Sequence, residues 1–136
     1  MKVIYEQTME YRLTEFIKTF PENVILREDL VSLGSSRQIS RALLTLVKQG
    51  KLAKIGYGVY TKLKYSELAD TTYLPQGFVS IARIALTRMG IKWDISEAEK
   101  AYNEGRSQQV PVNPATKLLT RFRRKLSYKG MELRYE

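Results

Sequence analysis

Five apolar side chains, Met9, Leu13, Phe16, Ile17 and Phe20, recur at i, i+4, i+7, i+8 and i+11. At one residue per 100° they share a face, which predicts a helix. Pro21 ends it, because the residue before a proline avoids the helical conformation. Val24-Ile25-Leu26 is a short apolar run that reads as extended. Glu28 and Asp29 then suit the first turn of a second helix, where negative charge favours the macrodipole. Leu30 and Leu33 are its buried positions, and Gly34 is its C-terminal stop. Ser35, with Gln38 three residues on, has the form of a capping box and opens a third helix. Ile39, Leu43 and Leu46 cluster on one side of that helix, and Gly50 closes it. Lys51 to Leu63 reads as two short strands around Gly56-Tyr57-Gly58, since glycine permits the positive φ of a tight turn. Leu52, Ile55 and Val59 are the inward positions of this hairpin. Lys54, Tyr57 and Lys62 are the outward ones.

Beyond residue 64 the pattern changes. Residues 65–76, with Pro75 at their end, read as a connector. Phe78, Ile81, Ala82, Ala85 and Met89 mark a helix that stops at Gly90. Ser96 to about Glu104 forms a more polar helix. Pro111 and Pro114 break regularity, and residues 117–128 pair with 131–135 across a turn at Lys129-Gly130. Trp93, the only tryptophan, is read as a core residue. The class is α+β. A winged helix-turn-helix domain spans residues 1–64, and a small α+β unit with a C-terminal β-hairpin spans 65–136.

Charge sharpens this division. The 136 residues carry 23 Lys and Arg against 14 Asp and Glu, a net charge of +9. Residues 35–64 hold seven basic side chains and no acidic one. Residues 117–136 hold seven basic and two acidic, whereas 1–34 and 65–116 are slightly acidic. An excess gathered in two blocks points to a polyanionic partner, nucleic acid before an anionic membrane. No apolar run reaches the roughly 18 residues that span a bilayer. The N-terminal MKVIYEQTMEYR meets polar residues too soon for a signal peptide, so a cytoplasmic location is expected.

Composition also limits the chemistry. The chain has no Cys and no His. Thiolate metal sites, disulfides, imidazole bases and thiol nucleophiles are therefore excluded. No Gly-rich phosphate loop is present. Asp94, Glu97, Glu99 and Glu104 could supply a carboxylate site, but on a polar helix they read as a solvated face. A non-enzymatic protein without a cofactor is expected.

The acid-free block has its own geometry. On the wheel Arg37, Arg41 and Lys48 fall within about 40° of one another, opposite Ile39, Leu43 and Leu46. A helix with one apolar face can dock on its neighbours and present the other to the DNA major groove, which admits one α-helix. Ser36, Arg37, Gln38, Ser40 and Arg41 lie near its N-terminus, where base contacts concentrate in this motif, and Thr45 lies further along. Arg pairs with guanine O6 and N7, and Gln with adenine. Lys48, Lys54 and Lys62 are phosphate contacts, and Tyr57 is at the hairpin tip. The second basic block contributes Arg121, Arg123, Arg124 and Lys125. It reads as a second phosphate contact, a surface for an acidic protein partner, or a solvated strand face. Two alternatives to DNA binding stand beside this reading: a protein-interaction module that engages an acidic toxin or assembly partner, and an RNA-binding protein.

The run Asp29-Leu30, Leu33-Gly34-Ser35, Ala42-Leu43, Leu46-Val47, Gly50-Lys51-Leu52 and Gly58-Val59-Tyr60 resembles the N-terminal winged helix of AbiEi-type antitoxins. It is most similar to a related family of short bacterial proteins. In that family the winged helix precedes a small unit with a Gln-Val-Pro segment, matched here by Gln109-Val110-Pro111, and a terminal hairpin, matched by Lys117–Glu136. The resemblance implies a repressor of its own operon that binds double-stranded DNA. One such unit could bind as a monomer, and an operator with inverted repeats would point to a dimer. By analogy of fold it also implies a type IV antitoxin that counters a nucleotidyltransferase toxin without a stable complex. The chain is shorter than the AbiEi proteins, so the resemblance bears on DNA binding more directly than on antitoxin activity.

Overall fold

The computed structural model describes residues 8–136. It is a mixed α+β structure in two compact units, the first reaching Pro75 and the second running from Gln76 to Glu136. Among the described residues no helix is long and apolar enough to cross a membrane.

The first unit begins with α1 (Met9–Thr19), whose N-cap Thr8 accepts a hydrogen bond from the Tyr11 backbone. Strand β1 (Val24–Leu26) follows, then a 3-10 helix (Arg27–Leu33), α2 (Ser36–Lys48), β2 (Leu52–Gly56) and β3 (Val59–Lys62). The three strands form an antiparallel sheet in the order β1-β3-β2. Leu13 of α1, Ile25 of β1, Leu30, Ile39, Leu43, Leu46 and Leu52 close one core, with Met9, Phe16, Ile17, Phe20 and Leu33 packed against it. Each large side chain buried here contributes about 1.5–3 kcal/mol. The apolar face anticipated for each helix is the face that packs.

Three local expectations change. The segment opened by Glu28 and Asp29 is a 3-10 helix rather than an α-helix. It has seven residues, and Asp29 caps it by accepting from the Leu26 backbone at 2.8 Å. Gly34 ends it in an extended conformation (φ 167°), not the left-handed one. A Cβ there would meet the methyl carbon at the flexible end of Met9, which would have to shift to make room. Residues 65–76, read as a connector, include a second hairpin, β4 (Lys64–Ser66) with β5 (Thr71–Tyr73). The Tyr and Thr residues of these strands favour extended structure. The pair is nevertheless largely exposed, so it leaves no alternation of apolar and polar positions to read.

The second unit contains α3 (Phe78–Arg88), β6 (Trp93–Ile95), α4 (Glu97–Asn103), β7 (Thr116–Leu118), β8 (Ser127–Tyr128) and β9 (Met131–Glu132). Phe78, Ile81, Ala82, Ala85 and Leu86 of α3 are buried, as are Leu126 and Leu133. The C-terminal hairpin turns at Lys129-Gly130, both residues having positive φ, but pairs only two residues on each side. Residues 117 and 118 instead belong to β7, which pairs with β6. The basic residues 121–125 therefore lie on an irregular segment rather than on a strand.

Candidate functional site

Helix α2 is built to present one side. Its N-cap Ser35 accepts from the Gln38 backbone at 3.2 Å, and Gln38 Oε1 accepts from the Ser35 backbone at 3.3 Å. That reciprocal pair satisfies two of the orphan donors of a helix start. Ile39, Ala42, Leu43 and Leu46 are buried beneath the helix. Ser36, Arg37, Ser40, Arg41 and Lys48 are exposed on the other side. Neither Arg37, Arg41, Lys48 nor Lys54 has an ion-pair partner among the described residues. At the tip of the β2–β3 hairpin Tyr57 is 78% exposed.

The structure modifies several of the other assignments. Gln38 spends its amide oxygen on the cap, so in this conformation it is not available for bidentate pairing with adenine. Thr45 is half-buried, and its hydroxyl donates back to the Arg41 carbonyl at 3.1 Å. Lys62 is not an outward residue. It is half-buried, and its ammonium donates to the Phe20 carbonyl at the end of α1. A cation there compensates the negative end of the α1 dipole and its unpaired carbonyls. A shallow groove of about 190 Å³ between α1 and α2 is lined by Glu10, Gln38, Arg41 and Thr45 among others. Glu10 of α1 thus shares a groove with residues of the stretch that is acid-free in sequence.

Two further residues join this surface in the structure. Leu44 is 57% exposed and falls within about 20° of Arg37 on the wheel, at the edge of the cationic face. The wheel contained that signal, as an apolar residue on the wrong side. Arg27 carried none, because it lies in the slightly acidic first segment. Its Nη2 donates to the Ser36 carbonyl at 2.7 Å, Ser36 Oγ at 3.0 Å and Ser40 Oγ at 3.2 Å. Its backbone N–H donates to the Gly58 carbonyl at 2.9 Å. Arg27 therefore ties the start of α2 to the turn of the β2–β3 hairpin. Its buried Nη1 has no hydrogen-bond partner. Burial pushes the Tyr60 phenol above its ordinary value, and the Arg27 charge opposes that rise.

The carboxylates on and beside α4 are engaged with cations. Arg83 donates to Glu99 through two nitrogens at 2.9 and 2.6 Å and to Thr116 Oγ1 at 3.0 Å. It also stacks over Trp93, 5.1 Å from the ring centroid. Glu99 is thus not part of a solvated face, and its side chain is only 17% exposed. The Arg83 hydrogen bond holds its carboxyl below the ordinary range, against the opposing effect of burial. Asp94 pairs with Lys100 at 2.9 Å, Glu97 lies 3.8 Å from the same ammonium, and Glu104 pairs with Arg106 at 2.8 Å. Trp93 is half-buried, with its indole N–H donating to Thr87. It is a platform for Arg83 rather than a core residue. This arrangement is a folding device.

Comparison of the chain with protein-family models, curated proteins and solved structures returns no match.

Proposed function

We propose that the first unit is a winged helix-turn-helix and the chain a sequence-specific regulator that binds double-stranded DNA. The observation that carries this is the unpaired strip Arg37, Arg41 and Lys48 on the outer side of a helix whose inner side is closed by Ile39, Leu43 and Leu46. The β1-β3-β2 order and the hairpin with Lys54 and Tyr57 at its exposed end support the same reading. Thirteen residues make α2 about 20 Å long, enough to lie along the major groove. Arg37 and Arg41 pair with guanine edges, each such contact being worth about 1–3 kcal/mol of discrimination. Leu44 meets a thymine methyl, the apolar feature of that groove. Ser36 and Ser40, held by Arg27, together with Lys48 and Lys54, meet phosphates. The resemblance to AbiEi-type antitoxins supports repression of the protein's own operon, with a nucleotidyltransferase toxin as the product held in check.

The test is a gel-shift titration with DNA upstream of the protein's own gene against random duplex of equal length. Wild type is expected to prefer the upstream DNA. Arg37→Ala/Arg41→Ala is expected to lose that preference. Unchanged affinity and preference in the double variant would end this reading.

A further inference from the structure

We propose that the irregular segment 119–126 of the second unit is a separate, sequence-independent contact for the phosphate backbone of duplex DNA. The proposal rests on the DNA-binding reading above but uses a different surface. Arg121, Arg123 and Lys125 are exposed, and none has an ion-pair partner among the described residues. Phe122, between the two arginines, is half-buried, and Leu126, just after Lys125, is 1% exposed. Arg124 is exposed as well, so the outward positions from 121 to 125 are all cationic, while Leu119 and Thr120 ahead of them are exposed and uncharged.

The backbone that carries these charges is held on both sides of residues 121–123. The Leu119 N–H donates to the Lys92 carbonyl at 2.8 Å, and the Lys92 N–H donates to Thr120 Oγ1 at 3.1 Å. The Tyr135 hydroxyl donates to the Arg124 carbonyl at 3.1 Å, and the Leu133 N–H to the Leu126 carbonyl at 2.9 Å. A tail that is basic only for solubility needs no such anchoring. Anchored charge gives up less side-chain and backbone freedom when it meets a partner.

The chemistry favours phosphate over other polyanions. Three of the four exposed residues from 121 to 125 are arginine, whose planar fork fits phosphate oxygens in a way a lysine ammonium does not. Phe122 is already engaged, edge-on by Tyr135 with centroids 6.1 Å apart and by Arg124 over its ring at 5.5 Å. It therefore offers no stacking platform for unpaired bases, which binding of single strands requires. From 121 to 125 the exposed side chains carry donors and no acceptors, suited to a duplex backbone and indifferent to its sequence.

The experiment compares full-length wild type, Arg121→Gln/Arg123→Gln/Lys125→Gln and Arg121→Lys/Arg123→Lys, binding a random duplex and a duplex chosen by selection from a randomised pool, across a salt series. Trp93 fluorescence and circular dichroism establish that each variant is folded. The glutamine variant is expected to flatten the slope of log affinity against log salt by about 2–3, at about 0.9 for each phosphate no longer neutralised. Affinity for both duplexes should fall by the same factor, and the lysine variant should keep the wild-type slope. An unchanged slope in the glutamine variant overturns the proposal. So does loss confined to the selected duplex, or wild-type binding to anionic vesicles or hairpin RNA in preference to duplex DNA. Arg37→Ala/Arg41→Ala in the same assay separates the two readings. If that variant alone loses discrimination while the glutamine slope is unchanged, only the second DNA contact fails. If wild type shows no discrimination but the glutamine slope flattens, only sequence-specific recognition fails.

Discussion

Arg83 and Arg41 are the same residue type in opposite surroundings. Arg83 sits in the second unit with its guanidinium divided between Glu99 and Thr116, over the Trp93 ring, and is 9% exposed. Arg41 stands on the outer side of α2, exposed, with no ion pair among the described residues. Arg27 is intermediate in kind, half-buried and bonded to Ser36 and Ser40. Arg83 belongs to folding. Arg41 makes no such ion pair, which is why the proposed function gives it a partner outside the chain. Arg27 bonds to the serines that the proposal places at the same surface. The three differ in what each would cost to lose.

The largest stability effect is expected at Arg83. Arg83→Met leaves the Glu99 carboxylate without its cation, which should cost roughly 3 kcal/mol because breaking a buried pair is expensive. Trp93 fluorescence during urea unfolding reports the loss directly, since it is the only tryptophan and lies against Arg83. Arg83→Met/Glu99→Leu should recover much of the stability, because replacing both partners removes the stranded charge. Equal losses in the single and double variants would show that Arg83 acts through Trp93 and Thr116 instead.

Acid should act on the same pair. The folded-state pKa of Glu99 is lowered, so its contribution is complete above the ordinary carboxylate value of 4.5 and disappears as pH falls through the lower folded value. The Trp93 transition should therefore weaken below pH 4.5, and Glu99→Gln should remove that part of the pH dependence. A Glu99→Gln variant that retains the full acid response would place its origin elsewhere.

Arg27 comes next. Arg27→Ala removes three hydrogen bonds to α2, and the expected loss is about 1–2 kcal/mol in thermal unfolding. Arg27→Lys should restore part of it, because all three bonds leave from Nη2 alone and an ammonium also carries three donors, on a differently shaped stem. On DNA, loss of this tie should lower discrimination between sequences more than it lowers the salt slope. Full rescue by lysine would show that charge alone matters at this position.

Which of these arginines could be read from sequence follows from how each is held. The outward position of Arg37 and Arg41 was legible, because it is the complement of an apolar stripe with helical period, and Ile39, Leu43 and Leu46 are indeed buried. The capping box at Ser35-Gln38 was legible for the same local reason. Arg83 was not, because its partners Glu99 and Thr116 lie 16 and 33 residues away, and nothing in local spacing marks such a pair. Arg27 was missed likewise, its serines lying 9 and 13 residues on. Lys62 was misjudged as outward because alternation along a strand does not show that Phe20 ends a helix beside it. The β4–β5 hairpin left no signal, as its strands bury almost nothing.

The smallest stability effect divides function from folding most sharply. Arg37→Ala/Arg41→Ala should change the unfolding free energy by no more than about 0.5 kcal/mol, the usual range for surface positions without partners. Alanine also has the higher helix propensity, which offsets any small loss. A drop of more than about 1 kcal/mol would mean that the pair makes contacts that hold α2 in place. Arg41 lines the groove that contains Glu10, so that is where such contacts would be found. Glu10→Gln in the double-variant background then decides the matter. If Glu10 attracts Arg41, removing its charge matters in wild type and not in the variant. If Arg41 is free for a partner, Glu10→Gln leaves stability unchanged in both. It should then tighten DNA binding slightly in wild type, because a carboxylate beside the cationic face repels phosphate.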